Sequence, residues 1–376
     1  MARVVILGSS FGGLSAAYAL RKRLGPQHDV VLVSNSSLFV FRPSLPWVIF
    51  GLRRPDQVTA DFTRGLDRRG IDFLQATVTR IDPERRHVLT TKGDVEYDHL
   101  VIALGAHLDR DAIPGLDAHT DCVLWLDDAL RLRDKLERFR GGTIAILDVQ
   151  GSPLACPGYE VALGLATFLR RRGLRENTRI YFISHAPTPF APAGPRASAA
   201  VARELARAGV HWIGNAGLRS AAPGGVTLAD GRAIEADLFV TFPPYRGTDA
   251  LLRTPELADR RGFVETDRSM ESIRFPNVYA VGDAVSFSGP KSGRMAEVQA
   301  HVAAHNVACR INGSGPLKRY RSHLVCLMEL GDGRGLFAYR REAPTHGPTT
   351  FAASVSGRLP HIAKALWEKY YLATRF

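Results

Sequence analysis

Cysteine is scarce in this chain: four residues in 376. That is too few for a secreted scaffold held together by disulfides. None falls in a Cys-x-x-Cys pair and the twelve histidines show no ligand spacing, so no metal site is expected. No apolar run reaches the ~18 residues of a membrane-spanning helix. The chain passes from Met1-Ala2-Arg3 straight into the apolar run Val4-Val5-Ile6-Leu7, so no export signal is expected ahead of the first strand. Acid is also in short supply, with Lys+Arg 49 against Asp+Glu 37 for a formal charge of +12. With 45% hydrophobic and 23% charged residues the chain is neither disordered nor fibrous. Its length predicts two or three domains.

Part of the positive excess is concentrated late. Residues 318–376 carry ten Lys/Arg against four acids, a net +6. Such a segment suits anionic lipid, nucleic acid or an acidic protein, and a merely arginine-rich surface is the plain alternative.

What is present begins with Val4-Val5-Ile6-Leu7, a continuous apolar run of the kind that makes a buried parallel strand. Gly8-Ser9-Ser10-Phe11-Gly12-Gly13 follows, and then a helix with small residues on its packing face. Strand, glycine turn and helix make a dinucleotide-binding unit, in which Gly8 permits the turn and Gly13 the close helix–strand packing. The helix N-terminus offers free N–H groups to a pyrophosphate. Ser10 replaces the second glycine of the fingerprint. The next strand, Val30-Val31-Leu32-Val33, ends at Ser34-Asn35, where a carboxylate is usual; either residue can still hydrogen-bond a ribose hydroxyl.

Two later segments have the same character. Tyr97-Asp98-His99-Leu100-Val101-Ile102-Ala103-Leu104-Gly105 is a strand ending at glycine, and Asn277-Val278-Tyr279-Ala280-Val281-Gly282-Asp283 ends at Gly-Asp. With the opening motif they resemble the flavoproteins built on two dinucleotide-binding domains. The resemblance implies FAD extended through the first domain, with Asp283 on its ribityl chain. The positions expected at the cofactor are Gly8, Ser10, Phe11, Gly12, Gly13, Ser34, Asn35, Arg42, Ser44, Val78, Ala103, Gly105, Gly282, Asp283 and Lys291.

A second nucleotide unit is expected from the strand Thr143-Ile144-Ala145-Ile146-Leu147, but the segment after it, Asp148-Val149-Gln150-Gly151-Ser152-Pro153-Leu154-Ala155-Cys156-Pro157-Gly158, has no fingerprint. Proline has no N–H to give a phosphate. The second domain is therefore expected to keep the fold without a nicotinamide site, and electrons must enter elsewhere. Cys156 is the nearest candidate, placed before a helix over residues 161–171, where a thiol is more readily ionised. Cys326 lies in a strand leading into Gly331-Asp332-Gly333. Cys309 reads as helix packing and Cys122 as a loop or strand edge. For any single cysteine, a buried small hydrophobe is the ordinary role.

The cysteine segments resemble those of sulfide:quinone oxidoreductases, on Cys156, Gly158 and Tyr159-Glu160, and on Cys326 with Gly331-Asp332-Gly333. Further matches are Phe41-Arg42-Pro43-Ser44-Leu45-Pro46-Trp47-Val48, Phe242-Pro243-Pro244-Tyr245, Pro290-Lys291-Ser292-Gly293-Arg294-Met295-Ala296-Glu297 and residues 361–371, so the likeness covers nearly the whole chain. Leu124 falls where the family's third cysteine is expected, two residues from Cys122. The resemblance implies that hydrosulfide attacks a Cys156/Cys326 pair by thiol–disulfide exchange and that sulfane sulfur leaves as polysulfide. Electrons pass through the flavin to a membrane quinone. Glu160 is expected to accept a proton, or else only to serve the helix dipole. Lys291 is expected to place a cation beside the reduced flavin. Phe337 is expected along the quinone.

Leu359, Ile362, Leu366 and Tyr370, with Trp367 alongside, form a helical apolar stripe interleaved with Lys364, Lys369 and Arg375. A basic amphipathic helix with Trp and Tyr suits a membrane interface, and a helix packed on the core is the alternative. The fold expected is α/β, with two tandem Rossmann-like domains and a membrane-associating end. An FAD-binding domain occupies residues 1–110 and 241–312, a second Rossmann-like domain 111–240, and a quinone- and membrane-interaction segment 313–376. A proline-rich surface loop is expected at 186–195 and a hinge at Gly313-Ser314-Gly315-Pro316. Rival readings are the flavin subunit of a flavocytochrome c sulfide dehydrogenase, a type II NADH dehydrogenase, and a non-catalytic basic flavoprotein. No nucleic-acid partner is expected for the enzyme, and self-association stays open.

Overall fold

The computed structural model describes residues 1–153, 156–287, 291–341 and 351–376. Leu154, Ala155 and Pro290, all in motifs quoted above, lie outside the described residues.

The first apolar run builds the strand Arg3–Leu7, central in a five-stranded parallel sheet. Its neighbours are Asp29–Ser34 on one side and His99–Ile102 on the other, with Asp72–Gln75 and Val278–Ala280 at the edges. Val4, Val5, Ile6 and Leu7 are fully buried, as a strand covered on both faces must be. The helix Phe11–Arg21 covers one face, and Gly12 brings it against Val281 and against Ala296 of the helix Gly293–Asn312.

A second five-stranded parallel sheet lies between the two halves of the first. Its order is Asp121–Cys122, Leu238–Phe242, Gly142–Asp148, Thr178–Ser184 and Val210–Ile213. A short antiparallel ribbon, His107–Leu108 against Tyr245–Arg246, carries the chain out of the first sheet and back. The helix Pro157–Arg171 packs its apolar face on the second sheet, where Tyr159 stacks on Phe182 with centroids 4.7 Å apart. The proline-rich stretch is anchored rather than merely superficial. Phe190 and Ala193 are buried, and the Phe190 N–H donates to the Tyr159 hydroxyl at 2.8 Å.

Gly313 ends the helix Gly293–Asn312 in the left-handed region, φ +63°. Beyond it stand three antiparallel strands, His323–Gly331, Arg334–Arg341 and Phe351–Gly357, and the helix Arg358–Arg375. That helix has its polarity reversed. Lys364 and Glu368 are 1% and 3% exposed, whereas Leu359, Leu366 and Tyr370 are 76%, 61% and 70% exposed. The stripe faces outward, and Lys364 is not one of its flanking surface cations. No described helix is long and apolar enough to cross a membrane.

Candidate functional site

A cavity of about 600 Å³ runs from the crest of the first sheet to the C-terminal strands and helix. The glycine turn forms one end. Gly8 sits at φ +97°, and a Cβ there would run into the carbonyl of Ala103. Gly13 does not line the cavity; a Cβ on it would collide with the Gly8 carbonyl oxygen, so it holds the turn against the helix. Gly8, Ser10, Phe11, Gly12, Ser34, Asn35, Val78, Ala103 and Gly105 line this end. The Ser9 and Ser34 hydroxyls are hydrogen-bonded at 2.8 Å. Ser10, at the N-cap, makes no capping hydrogen bond, so its side chain leaves the first N–H groups of Phe11–Arg21 unclaimed.

Gly282, Asp283, Arg42 and Lys291 carry the cavity onward. Burial pushes the Asp283 carboxyl up, against the pull of Lys291 and Arg42. The Arg42 guanidinium stacks on Trp125 at 3.8 Å and has no ion-pair partner among the described residues; burial lowers its proton affinity. Lys291 donates to the carbonyls of Asp283 and Val285, both at 2.8 Å, and lies over the Phe263 ring. Burial pushes its ammonium down to about 8. A bent channel with an uncapped helix N-terminus, a glycine whose Cβ would fill the turn, and an unpaired cation suits an extended, doubly charged dinucleotide.

The other end holds sulfur. Cys156 precedes the helix Pro157–Arg171, Cys326 sits in the strand His323–Gly331, and the two form a disulfide across 170 residues of sequence. Both line the same cavity as the glycine turn. The other cysteines stand apart. Cys122 is buried near Tyr245 and Phe263, and burial pushes its thiol up to about 12. Cys309 lies 3.4 Å from His305 Nε2 on the helix Gly293–Asn312.

Glu160 projects into the cavity from one turn beyond Cys156. Its Oε1 accepts from the Glu329 main-chain N–H at 2.7 Å and from the Lys364 ammonium. Burial raises its carboxyl, and Lys364 opposes the rise. Lys364 and Trp367 line the cavity from the C-terminal helix, and neither was anticipated as a site residue. Lys364 also lies over the Trp47 ring, which Arg53 covers too.

Besides Gly13, two expected positions lie outside the lining. Ser44 is fully buried and donates to Glu368 of the C-terminal helix, which also pairs with Arg53; it does not line the cavity. The serine follows a short turn that aims it at the helix rather than the channel. Phe337 is half-buried, in register between Leu327 and Val355, and is not a lining residue; the aromatic ring at this end of the cavity is Trp367. Leu336 and Ala338 are buried on one face of the strand, the face of Cys326 and Met328, whereas Phe337 shares the face of Leu327.

The crest of the second sheet is filled by its own side chains. The Gln150 amide donates to the Leu218 carbonyl at 2.7 Å and accepts from the Leu218 N–H at 2.9 Å. Asp148, where a dinucleotide turn would open, takes a hydrogen bond from Ser184 at 2.7 Å. Burial raises the Asp148 carboxyl.

Comparison with known proteins agrees with this geometry. Residues 2–306 match the family model described as pyridine nucleotide-disulphide oxidoreductase. The chain is 26% identical to the sulfide-quinone reductase of Aquifex aeolicus, over 98% of this chain and 90% of that one. The crystal structure of the sulfide:quinone oxidoreductase from the same bacterium superposes with a TM-score of 0.93 at 25% identity, covering all of this chain and 91% of that one. An NADH dehydrogenase-like protein of Mycobacterium tuberculosis is 31% identical over 76% of this chain and 73% of its own length. On the matched residues 2–306, the two parallel sheets and the paired cysteines, the chain belongs to the pyridine nucleotide-disulphide oxidoreductase family and is an oxidoreductase.

Proposed function

We propose that the protein oxidises sulfide at Cys156 and Cys326 and delivers the electrons, through FAD held in the cavity, to a membrane quinone. The observation that carries this reading is the disulfide opening onto the same cavity as the glycine turn. The similarity to sulfide:quinone oxidoreductases over nearly the full chain supports it.

The residues expected to hold FAD are those of the glycine turn, Ser34 and Asn35 at the ribose, Arg42 at the phosphates, and Asp283 with Lys291 at the ring end. Bound there, the flavin supplies a two-electron acceptor between thiol and quinone. Hydrosulfide is a soft nucleophile that attacks one sulfur of the pair. The S–S bond breaks, a persulfide forms on one cysteine, and the electron pair leaves as thiolate on the other. Glu160, one turn away, takes up the proton of the sulfur nucleophile. A second hydrosulfide then attacks the outer persulfide sulfur, the bond from that sulfur to the cysteine breaks, the sulfur leaves as polysulfide, and both cysteines remain as thiolates. Closing them again to the disulfide gives up the electron pair that bound FAD would accept. Trp367 and Lys364 offer a quinone ring a flat apolar partner and a cation. The exposed stripe Leu359, Ile362, Leu366 and Tyr370, with Lys369 and Arg375, sets this end of the cavity against a lipid surface.

Anaerobic titration of the flavin spectrum tests the proposal. Sulfide bleaches it, a short-chain quinone restores it, and Cys156→Ser or Cys326→Ser each slows the bleaching on the order of 10³-fold or more without loss of flavin. The Mycobacterium relative favours a second reading, NADH as donor. Bleaching by NADH with none by sulfide would establish that reading and remove the first.

A further inference from the structure

The reaction proposed above has a proton deficit. Hydrosulfide yielding sulfane sulfur releases one proton and two electrons, whereas a quinone becoming quinol takes two of each. The balance is HS⁻ + H⁺ + quinone → sulfane sulfur + quinol. One proton per turnover must therefore enter the cavity from outside, past walls that at the quinone end are mostly apolar: Leu45, Pro46, Leu324, Leu327 and Trp367.

A polar seam lies under the C-terminal helix, apart from the Ser44–Glu368–Arg53 contacts of the same helix. At its inner end lies the Lys364–Glu160 pair, both members lining the cavity. At its outer end His361 Nδ1 lies 2.9 Å from both oxygens of the Glu329 carboxylate. The Glu329 side chain is 7% exposed and that of His361 33%, so the pair bridges interior and surface. Glu329 joins the two ends, because its N–H holds Glu160 while its carboxylate holds His361. The groups facing His361 are few. Glu329 comes from the strand His323–Gly331, and the Trp47 ring stands edge-on at 5.9 Å. Lys364 is one turn along its own helix, and Arg53 covers Trp47.

We infer that His361 and Glu329 are the proton entry of this enzyme, passing the proton needed for quinone reduction inward to Lys364 and Glu160 at the cavity wall. The first transfer follows the existing His361–Glu329 hydrogen bond. The second crosses to the Lys364–Glu160 pair through one water or a turn of the Glu329 side chain. Imidazole suits the outer position because its two ring nitrogens can take a proton on one side and give one up on the other. Neither His361 nor Glu329 touches the reacting atoms; both act through the inner pair.

This inference rests on the quinone reading, and rapid mixing separates the two. The holoenzyme carrying His361→Gln, which keeps a hydrogen-bonding side chain, is reduced with sulfide and then mixed with a short-chain quinone. Reduction by sulfide keeps its normal rate, whereas reoxidation slows roughly tenfold or more, increasingly so from about pH 6 to pH 9, and added imidazole restores it. Glu329→Gln gives the same slow reoxidation without imidazole rescue, since the inner carrier is then missing. Reoxidation of His361→Gln at the normal rate across that range, or a defect that imidazole does not repair, overturns the assignment. Failure of sulfide to reduce the wild-type flavin would instead defeat the underlying reading.

Discussion

The two parallel sheets repeat one design and differ where strand meets helix. In the first, Arg3–Leu7 turns through Gly8 into a helix whose N-terminus is left open to the cavity. In the second, Gly142–Asp148 reaches a crest occupied by Gln150, hydrogen-bonded to both main-chain groups of Leu218, and by Asp148 against Ser184. One crest leaves its helix N-terminus open to the cavity, and the other has Gln150 and Asp148 hydrogen-bonded within the chain. The second unit supplies Cys156 to a cavity rooted in the first. The difference shows how a duplicated fold divides its labour: the strands set the architecture, while a few residues at the crest decide what each copy binds.

The comparison breaks most visibly at glycine. Gly8→Ala places a methyl against the Ala103 carbonyl, and Gly13→Ala places one against the Gly8 carbonyl. Each is expected to yield protein without flavin, destabilised by about 3 kcal/mol or more. At the second crest, among the described residues, a Cβ on Gly151 meets Pro244 alone, at 3.6 Å. Gly151→Ala carries only its positive-φ strain, about 1 kcal/mol, and retains full flavin content. Absorbance at the flavin band together with chemical denaturation checks both; equal flavin loss at the two crests would erase the distinction.

A middle-sized effect is expected from emptying the second crest. Gln150→Ala leaves the Leu218 N–H and carbonyl without their partner and costs about 1–3 kcal/mol. It is not expected to create rapid flavin reduction by NADH, because the sequence after Asp148 carries no G-x-G-x-x-G. If NADH then reduced the flavin at the rate sulfide does, the second crest would be a masked nucleotide site.

The subtlest effect, visible only in a pH profile, concerns charge buried at the open crest. The Lys291 ammonium falls from 10.5 to about 8 on burial. Between those values the unfolded chain binds the extra proton, so stability rises with pH across that window. Below it the buried charge costs about 3 kcal/mol, an upper bound once the two carbonyl contacts adjust. In cofactor-free Lys291→Gln this rise between pH 8 and 10.5 disappears. A denaturation series that keeps the slope would place the titration elsewhere.

What could be read from the sequence followed local pattern. Apolar runs ending at glycine located the strands at residues 3–7, 99–102 and 278–280, and the two cysteine segments pointed to sulfurs that prove to be joined. Lys364 escaped because a helical stripe reveals two faces but not which one turns inward. Its partner Glu160 lies 204 residues earlier, beyond any local pattern. Ser44 and Phe337 are not among the residues that line the cavity, for a related reason. A motif fixes which residues are neighbours in sequence, whereas the aim of a side chain depends on a helix or strand arriving from far away. Gln150 carried no signal, since its importance is two contacts with the main chain of Leu218.

The first sheet is not complete until Val278–Ala280 pairs with His99–Ile102, whereas every strand of the second sheet lies between residues 121 and 242. During synthesis the inner unit therefore has all its strands while the outer one still lacks an edge. The last wall, bearing Lys364 and Trp367, arrives later still. A ribosome stalled before residue 364 therefore holds a partly built protein whose cavity still lacks one wall.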